Sequence, residues 1–250
     1  ASKYPKLIRK IHENGHEIAC HSYSHSLITK QDKQSFKSDL LKALDSIENI
    51  TSEKVTIYRA PAFSIGEDTL WALEVLVENG IKIDSSIFPA HHHFGGFPDL
   101  KNKSPYIYEF NGMQLKEFPM STKSFLGKDF VLTGGGFFRL FPYSMIKSYI
   151  ESSDYIMTYF HPRDFDPDQP ILKDLSIIRR FKSYYGLKSS LKKFKKLSYN
   201  EVIKRNLKIM DTSSISLSRD NKIAIVVFSL LKENSLVKAS KGEGSFTLIN

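Results

Sequence analysis

Gly15-His16-Glu17-Ile18-Ala19-Cys20-His21-Ser22-Tyr23-Ser24-His25 is the stretch that decides the fold of this chain. Its apolar centre, residues 18–20, lies between a glycine turn and a polar segment, which is typical of a short buried parallel strand. If residues 21–25 form a helical turn, His21 and His25 stand at positions i and i+4 and can bind one metal ion. The same spacing also occurs on ordinary solvated helix faces, so the pair alone is a weak motif.

Three later stretches place chemically active side chains directly after predicted strands. The β-branched residues 55–58 precede Arg59-Ala60-Pro61-Ala62-Phe63, residues 81–83 precede Asp84, and residues 154–160 precede His161. Carboxyl ends of parallel strands meet at one edge of a sheet. We therefore expect Arg59, Asp84 and His161 at the same edge as the two histidines. An Arg-Asp pair can also be only a structural bridge, and a strand-end histidine can be only hydrogen-bonded.

Predicted helices alternate with these strands, which indicates an α/β fold. Apolar residues recur at helical spacing over residues 3–14, over residues 35–50 with Ser35 as the cap, and over residues 67–79. Trp71 is expected in the core more than as a platform for sugar. Asn111-Gly112 predicts a β-hairpin between residues 106–110 and 113–118. Gly134-Gly135-Gly136 lacks the lysine of a phosphate loop and predicts a tight turn before a helix near Pro142.

The order of these motifs resembles the polysaccharide deacetylases with a NodB homology domain, which form carbohydrate esterase family four. The motifs are H-S-x-x-H at residues 21–25, R-x-P-x-F at 59–63, a strand-end Asp84 and F-H-P at 160–162. The run F-H-P-R-D-F-D-P-D-Q-P at residues 160–170 is similar to the exopolysaccharide-locus branch of that family. The resemblance covers about residues 3–200 and implies a distorted (β/α) barrel.

The resemblance also implies roles for individual residues. His21 and His25 would bind a divalent metal ion, with zinc the first choice. Arg59 would position the general base, Asp84 would orient Arg59, and His161 would protonate the departing amine. Pro61 and Phe63 would contact the substrate, a polysaccharide or oligosaccharide with N-acetylated sugars.

One family motif has no counterpart in this chain. The family opens with a strand bearing T-F-D-D-G, whose aspartates supply the general base and the third metal ligand, and no such motif occurs here. The expected fold is therefore a barrel of the NodB type that lacks its first βαβ segment. We expect two histidines alone to bind zinc weakly, and the absence of the aspartates opposes full activity of this chain.

Composition sets the remaining bounds. With 41% apolar residues among 250, the chain can build a substantial core. The single Cys20 excludes an internal disulfide, which makes a reducing, cytoplasmic compartment the default expectation. No apolar run is long enough to span a bilayer, and no secretory signal is evident. The predicted organisation is a deacetylase domain over residues 1–172, a basic helical extension over 173–210 and a tail over 211–250.

The net charge of +9 has a local origin. Residues 173–208 contain twelve basic and two acidic residues. Their apolar positions recur at helical spacing, which predicts amphipathic helices with a basic outer face. The first functional hypothesis is a metal-dependent polysaccharide deacetylase, and the second is a non-catalytic glycan-binding relative. The third is a protein that binds anionic polymers through Lys188 to Lys208. We expect no nucleic-acid partner, and oligomeric state is open.

Overall fold

The computed structural model of the chain describes residues 1–125, 127–172, 174–197, 225–228 and 246–249. Two compact units divide the chain: Ala1–Val131 with Tyr155–Thr158, and Leu132–Asp154 with Tyr159–Asn250. This division follows contacts, whereas the predicted boundaries at residues 172 and 210 follow composition. Residues 159–172 consequently belong to the same unit as the basic helices.

Three helices pack within the first unit: α1 (Pro5–Glu13), α2 (Lys33–Thr51) and α3 (Trp71–Glu78). The predicted cap of α2 is wrong by three residues. The Asp32 carboxylate accepts a hydrogen bond from the Ser35 backbone N–H at 2.8 Å, and the Ser35 hydroxyl interacts in return with the Asp32 backbone N–H. Asp32 is extended and so can act as the cap, while Ser35 completes a reciprocal capping box inside the helix.

A four-stranded sheet lies at the centre of the first unit, in the order β1, β2, β4, β3. Its strands are β1 (Ile57–Tyr58), β2 (Ile83–Asp84), β3 (Tyr106–Phe110) and β4 (Met113–Glu117). The pairs β1–β2 and β2–β4 are parallel, and β3–β4 is antiparallel. These parallel pairs and the intervening helices confirm the predicted α/β class. The strands that the structure describes do not close into a barrel.

The predicted strand at residues 18–20 contributes one parallel bridge, between Cys20 and Tyr58. The Cys20 N–H donates to the Ile57 carbonyl at 2.8 Å, and the Cys20 carbonyl accepts from the Arg59 N–H at 3.0 Å. Burial raises the pKa of the Cys20 thiol to about 11, so it is a neutral core residue. This single bridge nevertheless fixes where His21 leaves the sheet.

The predicted hairpin is confirmed. Strands β3 and β4 pair from Tyr106 opposite Glu117 to Phe110 opposite Met113. Asn111 and Gly112 have φ values of 46° and 80°, and positive φ at both central residues is the requirement of a type I′ turn. A second, smaller hairpin joins β5 (Lys123–Phe125) to β6 (Lys128–Phe130).

The core of the first unit lies where α2 and α3 contact the sheet. Trp71 packs edge to face against Phe36, with 5.8 Å between ring centroids, and belongs to this core as predicted. Leu41 departs from the predicted stripe of α2, because 42% of its surface is exposed. The largest fully buried side chains of the helices and the sheet are Phe36, Leu40, Tyr58, Leu73, Leu76, Ile81 and Leu115.

The second unit is mostly helical in the part that the structure describes. Its helices are α4 (Gly135–Leu140), α5 (Tyr143–Glu151), α6 (Ile177–Tyr184) and α7 (Leu187–Lys195). Its strands β7 (Lys196–Leu197), β8 (Ile225–Phe228) and β9 (Phe246–Ile249) form a sheet in the order β7, β9, β8. Strand β8 lies within the apolar run of residues 223–228. Residues 198–208 of the predicted basic surface lie outside the described residues.

Two sequence predictions for the middle of the chain are wrong. The glycine run is not a turn, because Gly135 and Gly136 form the first residues of α4, although the predicted helix near Pro142 is confirmed as α5. Residues 154–160 are not a strand, and only Tyr159 pairs, through one bridge to Gly134. Just before Tyr159, the Met157 N–H donates to the Ser121 hydroxyl at 2.6 Å. A side-chain oxygen thus takes the place of the backbone carbonyl that a neighbouring strand would provide.

No helix within the described ranges is both long enough and apolar enough to cross a membrane.

Candidate active site

The carboxyl edge of the sheet in the first unit collects the predicted site residues of that unit. Four residues stand in one row across the sheet, because Cys20 pairs with Tyr58, Tyr58 with Asp84, and Asp84 with Glu117. The next residue along each segment therefore leaves the sheet at the same edge. Parallel register thus brings His21, Arg59 and Asp84 to one edge, as their positions after predicted strands require.

His21 and His25 lie side by side, with 5.1 Å between ring centroids and 75° between ring planes. They do so without the helical turn that the sequence predicts, and that prediction is wrong. Ser22 and His25 have positive φ values of 67° and 58°, so the loop folds back through two left-handed residues. The two rings are therefore neighbours, as the helical spacing predicts, but the backbone between them is not helical.

A backbone contact fixes the orientation of the His21 ring. Its Nδ1 lies 2.6 Å from the carbonyl oxygen of Arg59. A carbonyl can only accept, so Nδ1 carries the proton and Nε2 presents a lone pair. A histidine that ligates a metal ion usually donates its other N–H to such a partner.

Asp39 on α2 holds the loop between the two histidines. Its carboxylate accepts hydrogen bonds from the Ser22 hydroxyl at 2.8 Å, the Tyr23 N–H at 2.8 Å and the Ser24 N–H at 2.9 Å. Burial raises the pKa of Asp39, but the hydrogen bonds from Ser24, Tyr23 and Ser22 outweigh that effect and lower it. Asp39 was not predicted, because the sequence around it does not distinguish it from other polar positions of the helix.

Arg59 is held by Ser85 and faces an aromatic ring. Its Nε donates to the Ser85 carbonyl at 3.1 Å and its Nη2 to the Ser85 hydroxyl at 2.8 Å. The guanidinium carbon lies 5.5 Å from the centroid of the Phe63 ring, a cation–π distance. Burial lowers the pKa of Arg59, and the charge of Asp84 opposes that effect. Arg59 stays protonated under all ordinary conditions.

Asp84 is completely buried and bonds to a different serine. Its Oδ1 accepts from the Ser86 hydroxyl at 2.6 Å and its Oδ2 from the Ser86 N–H at 3.1 Å. Among the ion pairs of the described residues, none joins Asp84 to Arg59. The resemblance led us to expect Asp84 to orient Arg59, whereas Ser85 makes that contact and Asp84 acts on Arg59 through its charge.

Glu117 is the second buried acid at this edge of the sheet, and it is not among the predicted site residues. It ends β4 opposite Asp84 and is completely buried. Its Oε1 accepts from the Ile87 N–H at 3.2 Å. The alternation of β4 could have indicated a buried Glu117, because Leu115 two residues earlier faces the core.

Pro61 and Phe63, the predicted substrate contacts, form a 3₁₀ turn directly after Arg59. Both are mostly buried, and Ala62 and Phe63 have positive φ values of 51° and 50°. Phe63 also packs near Phe88 and His92, at centroid distances of 5.7 and 6.4 Å. This turn forms an aromatic wall beside the Arg59 guanidinium.

His161 lies in the second unit, at the start of a 3₁₀ turn formed by Pro162–Phe165. The backbone N–H of His161 donates to Asp164 Oδ2 at 2.9 Å, and the ring Nδ1 of His161 lies 3.6 Å from the same oxygen. Asp164 in turn forms a buried ion pair with Arg139. His161 and Tyr159 line a cavity of about 700 Å³ in this unit. The His161 imidazole is half-exposed, and the Asp164 carboxylate lies on its buried side.

A metal ion fits this edge only in part. The rings of His21 and His25, 5.1 Å apart at their centroids, would offer two nitrogen ligands, and the Nδ1 contact of His21 leaves its Nε2 for that role. The described ranges contain no group of three or more His, Cys, Asp or Glu side chains that could hold a metal ion. Catalytic zinc sites usually have three protein ligands, so a pair should bind the ion more weakly.

Two family models match successive parts of the chain. Residues 1–81 match the model described as polysaccharide deacetylase, and residues 85–205 match a domain of unknown function, DUF3473. The first third of the chain is thus similar to the polysaccharide deacetylases. The second match includes residues 160–170, the run on which the predicted exopolysaccharide-locus branch depends.

Solved structures of related description resemble parts of the chain. One is a Mycobacterium smegmatis protein described as a polysaccharide deacetylase, 26% identical over 48% of this chain and 36% of that chain, with a TM-score of 0.39. Another is a family 4 carbohydrate esterase from Streptomyces lividans in complex with acetate, 21% identical over 34% and 42% of the two chains, with a TM-score of 0.30. Both likenesses are partial.

Curated relatives match a shorter stretch of the chain than the solved structures do. The chain is 53% identical over 57 residues to a uridylate kinase of Streptomyces avermitilis, which is 23% of each chain. It is 44% identical over 61 residues to a uridylate kinase of Anaplasma phagocytophilum, 24% of this chain and 25% of the kinase. The chain thus spans about a quarter of the length of the curated relatives that it matches.

Proposed function

We propose that this chain is a metal-dependent hydrolase that removes acetyl groups from N-acetylated sugars of a polysaccharide. The observation that carries the proposal is the match of residues 1–81 to the polysaccharide deacetylase family, which contains the oriented His21 and His25 pair. The Arg59 and Asp84 edge beside that pair supports the same chemistry.

The proposed roles follow from what each side chain contacts. His21 and His25 would hold a divalent metal ion, with zinc the first choice. When bound, zinc polarises a carbonyl and makes water a stronger nucleophile at neutral pH. Arg59, fixed by Ser85 and the Phe63 ring, would orient polar groups of the substrate. Asp84 would supply the buried negative charge beside Arg59.

His161 is the proposed general acid for the departing amine. Its ring is half-exposed to solvent, and Asp164 Oδ2 lies 3.6 Å from its Nδ1. Pro61 and Phe63 would form the apolar side of the sugar site.

One observation favours a second function, glycan binding without catalysis. The two acids at the edge, Asp84 and Glu117, are completely buried, so neither can take a proton from an attacking water. Without a base, catalysis falls by roughly two to four orders of magnitude. The aromatic wall and Arg59 could still bind sugar.

The third function, binding of anionic polymers, depends on the basic helices α6 and α7. One of their cations has a structural role. The Lys193 ammonium donates to the carbonyl oxygens of Phe138, Arg139 and Phe141 at 3.3, 2.9 and 2.8 Å, where α4 ends. No observed feature of these helices favours this function over the first two.

The test is acetate release from an N-acetylglucosamine oligomer, measured with added zinc and again with a chelator. The deacetylase proposal expects release that needs zinc and is lost in His25→Ala, while the matched variant His16→Ala, at an exposed position before the strand, keeps it. Oligomer binding by calorimetry without any acetate release would overturn the proposal and support the binding protein. Binding that weakens steeply with salt would indicate the anionic-polymer function.

A further inference from the structure

Two acidic side chains, Asp84 and Glu117, are buried next to each other behind the Arg59 edge. Both have no exposed surface, and they are register partners on the parallel strands β2 and β4. Paired residues on neighbouring strands project to the same face of a sheet. The two carboxyl groups consequently share one dry space.

The hydrogen bonds around the pair identify which acid lacks a donor. Ser86 supplies donors to both oxygens of Asp84. The Ile87 N–H supplies one to Glu117 Oε1, but Glu117 Oε2 is buried and receives no hydrogen bond from an N–H or hydroxyl group. An ionised Glu117 would thus leave a charged oxygen buried and unsatisfied, which is strongly unfavourable. A protonated Glu117 would instead use that oxygen as a donor.

The charges that face the pair lead to the same assignment. Arg59 is the cation that acts on both acids, and the other titratable groups around them are the phenols of Tyr58, Tyr106 and Tyr155. Two carboxylates beside one cation in a dry space would carry an excess negative charge. Burial raises the pKa of both acids, and the neighbouring Asp84 raises that of Glu117 further.

We propose that Asp84 and Glu117 share a single proton, which Glu117 Oε2 carries and donates to Asp84, so that the pair holds one negative charge to match Arg59. Glu117 is then a positioning residue and not a catalytic one, because its burial keeps it from any substrate. Its hydrogen bond ties the end of β4 to the end of β2, from which Ser85 reaches Arg59.

Contacts around Ser85 explain how the pair acts on Arg59. The Ser85 hydroxyl donates to the carbonyl of Phe118 at 2.9 Å, and the Phe118 N–H donates to the Asp84 carbonyl at 2.8 Å. Phe118 directly follows Glu117, so the carboxyl pair and these two bonds hold β2 and β4 together at the edge. The relevance of this arrangement to catalysis rests on the proposed deacetylase function, whereas the presence of the shared proton does not depend on that function.

The first test is ¹³C NMR of the full chain with labelled glutamate carboxyl carbons, the Glu117 signal being assigned by its loss in Glu117→Gln. The proposal expects this signal to remain at the protonated position at pH 7, well above the ordinary glutamate pKa of about 4.3. A Glu117 signal at the ionised position at pH 7 would overturn it.

The second test is the thermal midpoint of the wild type, Glu117→Gln and the exposed control Glu13→Gln between pH 4.5 and pH 8. Glutamine keeps a donor toward Asp84 but cannot ionise. A raised pKa in the folded protein gives stability that is present at low pH and lost as pH rises. The wild type should therefore lose about 3 °C or more against Glu117→Gln over this range, and a difference that stays constant would overturn the proposal.

Neither readout needs zinc, sugar or turnover, so the shared proton can be tested even if the deacetylase proposal fails. If acetate release is measured, Glu117→Gln should retain kcat within about threefold, because the conservative variant keeps the donor. A loss of more than about tenfold in Glu117→Gln at unchanged thermal midpoint would show that the ionised acid is required, against the proposal.

Discussion

The ring Nδ1 of His21 lies 2.6 Å from the backbone carbonyl oxygen of Arg59, so the main chain of one segment orients the side chain of another. This contact makes the orientation of His21 independent of the Arg59 side chain. The same residue thus has two separable contributions, one from its carbonyl and one from its guanidinium.

The first prediction concerns this separation. Arg59→Lys should leave zinc affinity within about twofold, because the carbonyl remains. His21→Ala should lower zinc affinity by at least about tenfold, since it removes one of two ligands. Isothermal titration with zinc measures both, and His16→Ala serves as the control. A large loss of affinity in Arg59→Lys would show that the guanidinium also supports the pair.

The second prediction concerns Asp39. Asp39→Ala removes the acceptor of three hydrogen bonds to residues 22–24 and should lower the free energy of unfolding by about 2 kcal/mol. Chemical denaturation measures this change, and zinc titration should show weaker binding because the histidine loop loses its support. Equal stability of the variant and the wild type would contradict the assigned role.

The lowered pKa of Asp39 also sets a pH dependence. A depressed pKa in the folded protein gives stability that is present above the unfolded pKa, about 3.9, and is lost as pH falls through the folded pKa. The difference in stability between the wild type and Asp39→Ala should thus shrink below pH 4. Denaturation midpoints of both proteins at pH 3 and pH 7 measure it.

The third prediction concerns the buried pair of Arg139 and Asp164. Arg139 also donates to the carbonyls of Tyr185 and Lys182 at 3.1 and 2.7 Å, so its loss leaves several groups unsatisfied. Asp164→Ala should destabilise the protein by about 3–5 kcal/mol, because it leaves an uncompensated buried cation. The double variant Arg139→Met with Asp164→Leu should be less destabilised than Asp164→Ala. A double variant that is as destabilised as Asp164→Ala in thermal denaturation, or more so, would contradict this prediction.

The fourth prediction concerns Lys193. Lys193→Met should lower the free energy of unfolding by about 1–3 kcal/mol, because three carbonyl oxygens lose their donor. Lys192→Met is the matched control, since Lys192 is exposed on the same helix and its replacement should change stability by less than about 0.5 kcal/mol. Similar effects of the two variants in urea denaturation would contradict the buried role of Lys193.

Sequence reasoning predicted the edge of the sheet better than its loops. Arg59 and Asp84 follow strands whose parallel pairing could be read from the alternation of strands and helices. The loop after Cys20 could not be derived, because its left-handed Ser22 and His25 depend on Asp39, which lies on a distant helix. Spacing between neighbouring residues carries no information about such an anchor.

Glu117 and Lys193 show the same limit for charged residues. A charge in a strand or a helix is expected in solvent, and only the tertiary contacts show that these two are held inside. Glu117 becomes buried through its register against Asp84, whereas Lys193 is partly buried and is held by the end of a helix some fifty residues earlier. The motif at His161 was recognisable, but its support by Arg139 through Asp164 was not.

The type I′ turn at Asn111 and Gly112 has an effect beyond the hairpin that it closes. Because it fixes the alignment of β4, it also decides which side chain stands opposite Asp84 at the far end of the strand. A slip of one residue would replace Glu117 by Lys116 or Phe118 and would change the sign or the presence of charge behind Arg59. Two small turn residues thus influence which charge stands beside Asp84 at the other end of β4.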